Sequence, residues 1–297
     1  MNRFEGNPIL EPIGTHDWES QLVCNAATFA FDKKIHILYR AMGTDHISRI
    51  GYAVSTDGYN IDERMPLPVF SPMTEAEKEG CEDPRITLMN DSLIMAYTAF
   101  GKYAYNKVYQ IGLTKIGVKD FISRKWNWDE RSLVFPGIRN KNGLIFPKKV
   151  GGEYILFHRL DPDVCISHSK DLKRWYDLKF VMGPRENSWD SWKVGTTGPP
   201  IELNEGWLFI YHGINYEKVY SLGVALLDKN NPGEVIYRGE KPILSPEKEY
   251  EIFGKVPNVV YSCGTVLLDD KLLIYYGGAD TVLCVATYDL AEVLPKK

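Results

Sequence analysis

The sequence predicts an all-β fold, specifically a five-bladed β-propeller closed by an N-terminal outer strand. Three observations lead to this prediction. Four kinds of short apolar segment recur in a fixed order with a period of about 50 to 65 residues. Polar turn signals separate the segments, and no long polar linker divides the 297-residue chain. Residues 1–297 are therefore expected to form a single propeller domain. A β-sandwich is the alternative, although five matched units do not divide well between two sheets.

The first two segments of each unit are predicted to be its inner strands. The first is an apolar strand closed by a polar turn, and its copies are 25–31, 83–91, 144–150, 199–203 and 264–268. The second ends in a tyrosine, histidine or arginine, and its copies are 35–40, 93–97, 154–159, 207–212 and 272–276. Their apolar residues and bounding turns are typical of short strands.

The other two segments are predicted to be the outer strands. The third runs into an aspartate, and its copies are 50–57, 111–120, 164–171, 222–228 and 283–289. The fourth is bordered by proline, and its copies are 68–72, 133–136, 180–184, 242–246 and, at the start of the chain, 8–12. Proline lacks the N–H that a central strand needs, so these segments suit the outer edge of a blade. The copy at 8–12 would close the last blade.

Composition excludes several classes of function. The chain is 44% hydrophobic and 25% charged, as in ordinary globular proteins. A net charge of -4 argues against nucleic acid as a partner. No apolar run approaches bilayer length, and the first residues lack the apolar core of a signal peptide, so no membrane partner is expected. The five cysteines lie singly without metal-type spacing, which predicts free thiols, a cytoplasmic location and no metal site.

The predicted topology gathers polar residues at one mouth of the propeller. In an antiparallel meander the first strand starts where the second strand ends, so both positions from all five blades face the same opening. These positions carry Asn25, Arg40, Glu82, Asp83, Tyr97, Tyr103, Lys141, Asn142, His158, Arg159, Lys193, Tyr211, His212, Tyr276 and Asp280. Cations accumulate in the third and fourth units, which predicts an anionic ligand such as phosphate or carboxylate.

Each of these residues also has a purely structural interpretation. Lys141 suits a solvated loop, Lys193 a structural position and His212 a satisfied core position. His158 and Arg159 could pair with Asp161 or Asp163, and Asp280 could cap a turn. Only the convergence of the set on one mouth favours a site.

The segment Gly80–Ile86 offers the clearest candidate acid. On a regular strand every second side chain shares a face, so Asp83 and Arg85 are expected to act together and Glu82 to face away. Arg85 would then lower the pKa of Asp83. An inverting glycosidase needs a second carboxylate to activate water. Phosphate is already an anionic nucleophile, so one acid among several cations suits phosphate attack better than water attack.

Six motifs resemble glycoside hydrolase family 130, the inverting β-mannoside phosphorylases and their relatives. They are Gly-Cys-Glu-Asp-Pro-Arg at 80–85, residues 144–149 followed by His158-Arg159, and residues 198–202, 207–213, 256–260 and 275–281. The resemblance runs nearly end to end and implies a five-bladed propeller. It also implies reversible phosphorolysis of a β-mannoside, with inorganic phosphate as co-substrate, no cofactor, and α-mannose 1-phosphate as product.

The resemblance further implies roles for individual residues. Asp83 matches the proton donor, which acts in the family through a sugar hydroxyl. The residues that match the phosphate site are Lys141, Arg159, Lys193 and His212. The residues that match contacts to the mannosyl unit are Asn25, Arg40 and Asp280. Glu82, Arg85, Tyr103 and Asn142 complete the predicted substrate-binding set; Asn142 stands where some members have aspartate.

The acceptor sugar and the bond type stay open at this point. Acceptor specificity is expected in the rim loops 15–20, 64–79, 103–107 and 185–191. The compact chain favours a β-1,2-mannoside over a β-1,4-mannoside. The alternatives are a β-mannoside hydrolase of the same fold and a non-catalytic sugar-binding propeller. Members of the family commonly self-associate, so a homo-oligomer is compatible with the resemblance.

Overall fold

The computed structural model describes residues 1–294, and strands dominate it. The strands are Asn2–Arg3 (β1), Leu22–Phe31 (β2), Lys34–Met42 (β3), Ser48–Ser55 (β4), Glu63–Arg64 (β5), Gly80–Met89 (β6), Ser92–Tyr103 (β7), Asn106–Gly117 (β8), Ser132–Leu133 (β9), Lys141–Ile145 (β10), Tyr154–Leu160 (β11), Asp163–Ser169 (β12), Tyr176–Met182 (β13), Lys193–Thr196 (β14), Ile201–Glu202 (β15), Trp207–Ile214 (β16), Tyr220–Leu227 (β17), Val235–Arg238 (β18), Val260–Leu268 (β19), Lys271–Gly278 (β20) and Val282–Asp289 (β21). The helices are Val118–Ile122 (α1), Glu249–Ile252 (α2) and Leu290–Val293 (α3), with a 3₁₀ turn at Glu75–Glu77. None of the helices in this part of the chain is long and apolar enough to cross a membrane.

The strands form five antiparallel units in chain order, which confirms the prediction of an all-β fold. Strands β2–β5 and β6–β9 are two such units, joined by one parallel pairing of Ser48 with Gly80. Strands β10–β13 form the third unit, and β14–β18 form the fourth, in which both β14 and β15 pair with β16. The fifth has the order β1-β21-β20-β19, so the first strand of the chain is the outermost strand of the last unit.

Hydrophobic clusters pack each unit against the next. Successive clusters lie between units one and two, two and three, three and four, and four and five. A further cluster packs Leu273 and Tyr275 of the fifth unit against Ile37 and Tyr39 of the first. Burying apolar surface stabilises the folded state by roughly 25 cal/mol per Å². This last cluster therefore helps to hold the fifth unit against the first.

In four units a buried carboxylate links the second strand with the outer edge of the unit. In each case it contacts the tyrosine near the end of the second strand and an arginine from the outer edge of the unit. The four sets are Glu19–Tyr39–Arg64, Glu77–Tyr97–Arg131, Asp190–Tyr211–Arg238 and Glu251–Tyr276–Arg3. We call these sets the carboxylate hubs. In the third unit His158 stands at the tyrosine position and contacts Asn140.

The proline-bordered segments are less regular than predicted. Three of them contribute isolated bridges, Ile50 with Phe70, Leu222 with Leu244, and Leu10 with Leu283. The regular outer pairing lies just before two of them, in β5 and β18, and in β1 for the N-terminal copy. Prolines on both sides remove the N–H groups that a longer ladder would need. The five cysteines are free and buried, as predicted.

Candidate active site

The inner strands of the first three units carry the same irregularity at the same place. Their pairing shifts register after Cys24, Glu82 and Lys141. At each shift the next residue has a positive φ, 50° at Asn25, 49° at Asp83 and 58° at Asn142. Asparagine and aspartate tolerate this conformation better than other side-chain-bearing residues. These β-bulges turn three polar side chains towards the middle of the molecule.

The bulge at Asp83 overturns the expectation drawn from strand alternation. Glu82 and Asp83 both contact Arg40, which lies 2.9 Å from a carboxylate oxygen of Glu82 and 3.5 Å from Asp83. Of the two, only Asp83 lines either of the cavities described below, so the predicted substrate contact of Glu82 is corrected to a contact with Arg40. Lys141 lies 3.7 Å from the other oxygen of Glu82. A bulge places two residues of one strand opposite one residue of its partner, so alternation fails there.

Asp83 is buried and held on several sides. Its Oδ1 accepts a hydrogen bond of 2.9 Å from Asn25, and Tyr261 Oη lies 3.5 Å from Oδ2. Burial alone would raise the pKa of Asp83, but the positive charges of Arg40, Lys141 and Arg85 outweigh it and lower that pKa. The carboxylate is therefore ionised over the neutral pH range in the free protein.

Arg85 lies beneath the pocket and does not line it. It is 1% exposed, and its guanidinium donates to the backbone carbonyls of Asp83, Thr196 and Thr197 and to Tyr261 Oη at 2.7 Å. The predicted role in substrate contact is therefore corrected: Arg85 holds the bulge and Tyr261 in place. Its charge lowers the pKa of Asp83, as the sequence predicted, after the larger effects of Arg40 and Lys141.

Asp280 forms a second carboxyl group in the same pocket. Asn25 Nδ2 lies 3.4 Å from Asp280 Oδ1 and so bridges the two acids. Burial raises the pKa of Asp280, the positive charge of Arg40 opposes this, and the charge of Asp83 adds to the rise. The pKa values of Asp83 and Asp280 are thus pushed in opposite directions, a pattern that active sites use to give two carboxyls different roles.

The site consists of two adjoining cavities, of which one holds both buried carboxyl groups and the other is richer in cations. The central cavity, of about 120 Å³, is lined by Asn25, Arg40, Asp83, Lys141, Asn142, Arg159, Tyr220, Val256, Val259, Tyr261 and Asp280. The neighbouring cavity, of about 280 Å³, is lined by Tyr109, Arg139, Asn140, Lys141, Arg159, Asp161, Lys193 and Tyr220. The first contains two carboxyls together with Arg40, the second contains four cations and the carboxylate of Asp161, and Lys141, Arg159 and Tyr220 line both. We call them the acidic pocket and the cationic pocket.

The cations of the second pocket are fixed by specific neighbours. Lys141 Nζ lies 3.9 Å from the centre of the Tyr109 ring. Arg159 Nε and Lys193 Nζ each lie 2.7 Å from a carboxylate oxygen of Asp161. The pairing of Arg159 with Asp161 is one of the structural alternatives that the sequence left open.

His212 lies behind Arg159 and lines neither pocket. It is fully buried, and its Nε2 accepts a hydrogen bond of 3.3 Å from Arg159 Nη1. Burial and the charges of Arg159 and Arg85 hold the pKa of His212 well below its ordinary value, so the ring is neutral. This geometry supports Arg159, and a direct contact with phosphate stays a prediction.

Several predicted mouth residues point elsewhere. Tyr97, Tyr211 and Tyr276 contact the carboxylates of the hubs and line neither pocket. Tyr103 is 43% exposed near the end of β7, packs against Gly137 and lines neither pocket. Within residues 1–294, no group of three or more His, Cys, Asp or Glu side chains is arranged to hold a metal ion.

Sequence reasoning missed several polar lining residues, among them Tyr109, Arg139, Asn140, Tyr220 and Tyr261. Tyr261 stands out among them, because its hydroxyl accepts a hydrogen bond of 2.6 Å from Asn142 in addition to the one from Arg85. The strand-start rule that selected Asn25 and Asp83 would have found Tyr261. The fifth unit was read as starting at Gly264, whereas β19 begins at Val260.

Comparison with known proteins identifies the family to which the chain is similar. A family model described as beta-1,4-mannooligosaccharide phosphorylase, glycoside hydrolase family 130, matches residues 1–295. A 1,2-beta-oligomannan phosphorylase of Thermoanaerobacter sp. (strain X514) is 40% identical over 300 residues, covering 99% of this chain and 98% of the relative. A beta-1,4-mannooligosaccharide phosphorylase of Ruminococcus albus is also 40% identical, over 98% of this chain and 89% of the relative.

A solved structure agrees with these sequence relatives. The beta-1,2-mannobiose phosphorylase of Listeria innocua, in complex with beta-1,2-mannobiose, superimposes with a TM-score of 0.87 at 27% identity, covering 98% of this chain and 97% of that chain. The match to the family extends over almost the whole sequence. The chain therefore belongs to glycoside hydrolase family 130.

Proposed function

We propose that this protein is an inverting β-mannoside phosphorylase, a hexosyltransferase that uses inorganic phosphate to cleave a β-mannosidic bond. The products are α-mannose 1-phosphate and an acceptor shortened by one mannosyl unit. The observation that carries the proposal is the acidic pocket opening directly into a pocket lined by four cations. The relatives at 40% identity are named as phosphorylases of β-mannosides.

The two pockets divide the substrates between them. The mannosyl unit occupies the acidic pocket, where Asn25, Arg40 and Asp280 contact its hydroxyl groups. Phosphate occupies the cationic pocket against Lys141, Arg159 and Lys193, because guanidinium and ammonium groups make strong charge-assisted hydrogen bonds to phosphate oxygens. No metal or organic cofactor takes part in this proposal.

Phosphate and acid act on opposite faces of the sugar. A phosphate oxygen forms the new bond to the anomeric carbon while the bond to the leaving oxygen breaks, which inverts the configuration. The leaving oxygen takes a proton that Asp83 supplies through a hydroxyl of the mannosyl unit, the route that the family resemblance implies. Because phosphate attacks, no second carboxylate is needed to activate water.

Phosphate binding also prepares Asp83 for this role. In the free protein Arg40 and Lys141 lower the pKa of Asp83, which disfavours proton donation. A phosphate dianion beside Lys141 offsets that positive charge, so the pKa of Asp83 rises when both substrates are bound. Proton donation by Asp83 is thereby favoured in the complex that can react.

The proposal includes the arrangement of the whole chain. The five antiparallel units form the blades of one propeller domain, closed where β1 joins the fifth unit. The cluster that packs the fifth unit against the first supports this closure. A cytoplasmic location belongs to the same proposal and is supported by five free, buried cysteines.

A matched pair of incubations tests the function. The protein is incubated with β-1,2-mannobiose or β-1,4-mannobiose, with and without inorganic phosphate, and mannose 1-phosphate and free mannose are measured. The proposal expects mannose 1-phosphate to form only with phosphate, and the faster substrate identifies the linkage. Equal release of free mannose without phosphate would favour the hydrolase, and no turnover of either sugar would favour the non-catalytic alternative.

A further inference from the structure

Asp161 lies at the edge of the cationic pocket and contacts two cations from different units. It occupies the turn between β11 and β12, and each of its carboxylate oxygens lies 2.7 Å from a cation, Arg159 Nε on one side and Lys193 Nζ on the other. The turn is fixed in place, because the carbonyl of Pro162 accepts a hydrogen bond of 3.1 Å from the backbone N–H of Val194 in β14. An internal carboxylate thus bridges two of the cations assigned to phosphate.

The two contacts differ, because only the contact with Lys193 is a hydrogen bond. Lys193 donates a hydrogen bond to Asp161, whereas the Arg159 Nε–H is not directed at the carboxylate and lacks an acceptor within residues 1–294. Arg159 is only 12% exposed, so this donor is largely shielded from water. A buried donor without an acceptor is costly, and a phosphate oxygen would satisfy it.

The exposure of Asp161 makes it displaceable. Its side chain is 42% exposed, so the carboxylate can turn towards water at small cost when another anion takes its cations. Asp190 in the next unit makes the informative contrast. It also contacts two arginines, Arg185 and Arg238, but it is fully buried and accepts from Tyr211, so its role is structural.

We propose that Asp161 is an internal competitor that sets the affinity of the enzyme for phosphate. In the phosphate-free enzyme it neutralises Arg159 and Lys193, and phosphate binds by taking over their contacts. A monoanion gains little from this exchange, because it replaces one negative charge with another. Phosphate carries about 1.5 negative charges near neutral pH and offers more acceptor oxygens, so the exchange favours it. Asp161 therefore selects against common monoanions such as chloride.

This inference rests on the proposed function, and phosphate binding to the whole protein tests it. The dissociation constant of inorganic phosphate is measured by calorimetry for the wild type and for Asp161→Asn, with chloride as competitor. The control is Asp163→Asn, which removes the same charge from the other end of the turn, where Asp163 makes no ion pair within residues 1–294. Thermal unfolding of both variants verifies folding, and Asp161→Ser replaces Asp161→Asn if the latter is unstable.

The expected result is about two- to fivefold tighter phosphate binding in Asp161→Asn, the range of a partly exposed ion pair. The control should bind like the wild type, and chloride should compete more strongly in Asp161→Asn than in the wild type. Weaker phosphate binding in Asp161→Asn would show that Asp161 positions the cations instead, and unchanged binding would also overturn the proposal. A wild type that binds no phosphate would refute the proposed function itself, which separates the two failures.

Discussion

Replacing Glu251 with glutamine should strongly destabilise the protein, because this carboxylate ties the first strand to the last unit. Glu251 is fully buried. Its oxygens lie 2.8 and 3.0 Å from Nε and Nη2 of Arg3, and Tyr276 donates to it at 2.7 Å. The backbone N–H groups of Glu247 and Lys248 also donate to it, at 2.7 and 3.0 Å. Every one of these partners is a donor, so the amide of glutamine would face at least one of them with its own N–H.

The magnitude follows from the burial of the pair. Breaking a buried ion pair by neutralising one partner costs about 3–5 kcal/mol, because the remaining charge stays buried. Arg3 is 8% exposed on its side chain, which meets this condition. Glu247 offers a matched control, since it contacts the same arginine at 3.0 Å but is 64% exposed. Glu247→Gln should therefore cost about 0–1 kcal/mol.

Equilibrium unfolding in urea at neutral pH measures both losses. The pKa of Glu251 is lowered, since the partners Arg3, the backbone amides and Tyr276 outweigh the opposing effect of burial. Its contribution is therefore present above the ordinary glutamate pKa and is lost as pH falls through the lowered value. The difference in unfolding free energy between the wild type and Glu251→Gln should therefore become smaller in acid. Equal losses for the two variants, or a loss below about 1 kcal/mol for Glu251→Gln, would refute the reasoning.

Three further predictions concern the reaction. Asp83→Asn removes the acid and should lower kcat by about 10²- to 10⁴-fold in a mannose 1-phosphate assay; a loss of less than about tenfold would contradict the assignment. Lys193→Ala should raise the KM for phosphate by about tenfold or more while leaving the KM for the mannoside nearly unchanged; equal increases would count against its place in the phosphate site. Tyr261→Phe removes a hydroxyl that contacts Arg85 at 2.7 Å and Asn142 at 2.6 Å, and should lower kcat by about 10- to 100-fold. The pH profile of kcat should shift in that variant, because the Tyr261 hydroxyl also adjoins Asp83, and an unshifted profile would indicate a structural role alone.

The repeat made the five units predictable from sequence. Each unit repeats the same apolar strands and turns, and local patterning of this kind survives folding because each unit has the same surroundings. The chain positions of Asn25, Arg40, Asp83, Lys141 and Asp280 followed from topology and from the family resemblance. The structure brings all five together around the acidic pocket.

Backbone irregularity set the limit of prediction. Strict alternation assigned Glu82 and Asp83 to opposite faces, and the bulge with φ of 49° at Asp83 places both beside Arg40. A bulge depends on the register of the neighbouring strand, which the sequence of one strand does not specify. Arg85 was expected beside the substrate for the same reason, and the bulge directs it into the interior.

The tyrosines at the ends of the second strands illustrate a second limit. Tyr97, Tyr211 and Tyr276 recur in register and were assigned to the mouth. Their partners Glu77, Asp190 and Glu251 are buried carboxylates that lie 20, 21 and 25 residues before them in the chain. These carboxylates lie outside the four apolar segments that defined the repeat, so the segment pattern did not reveal the carboxylate hubs.

The central claim is that phosphate, held in the cationic pocket, is the nucleophile. Phosphorus NMR of a reaction with the preferred mannobiose, started by adding phosphate, tests this claim most directly. The account predicts that α-mannose 1-phosphate appears in a one-to-one ratio with the phosphate consumed and the mannose acceptor released. Formation of the β anomer, or release of mannose without consumption of phosphate, would contradict it.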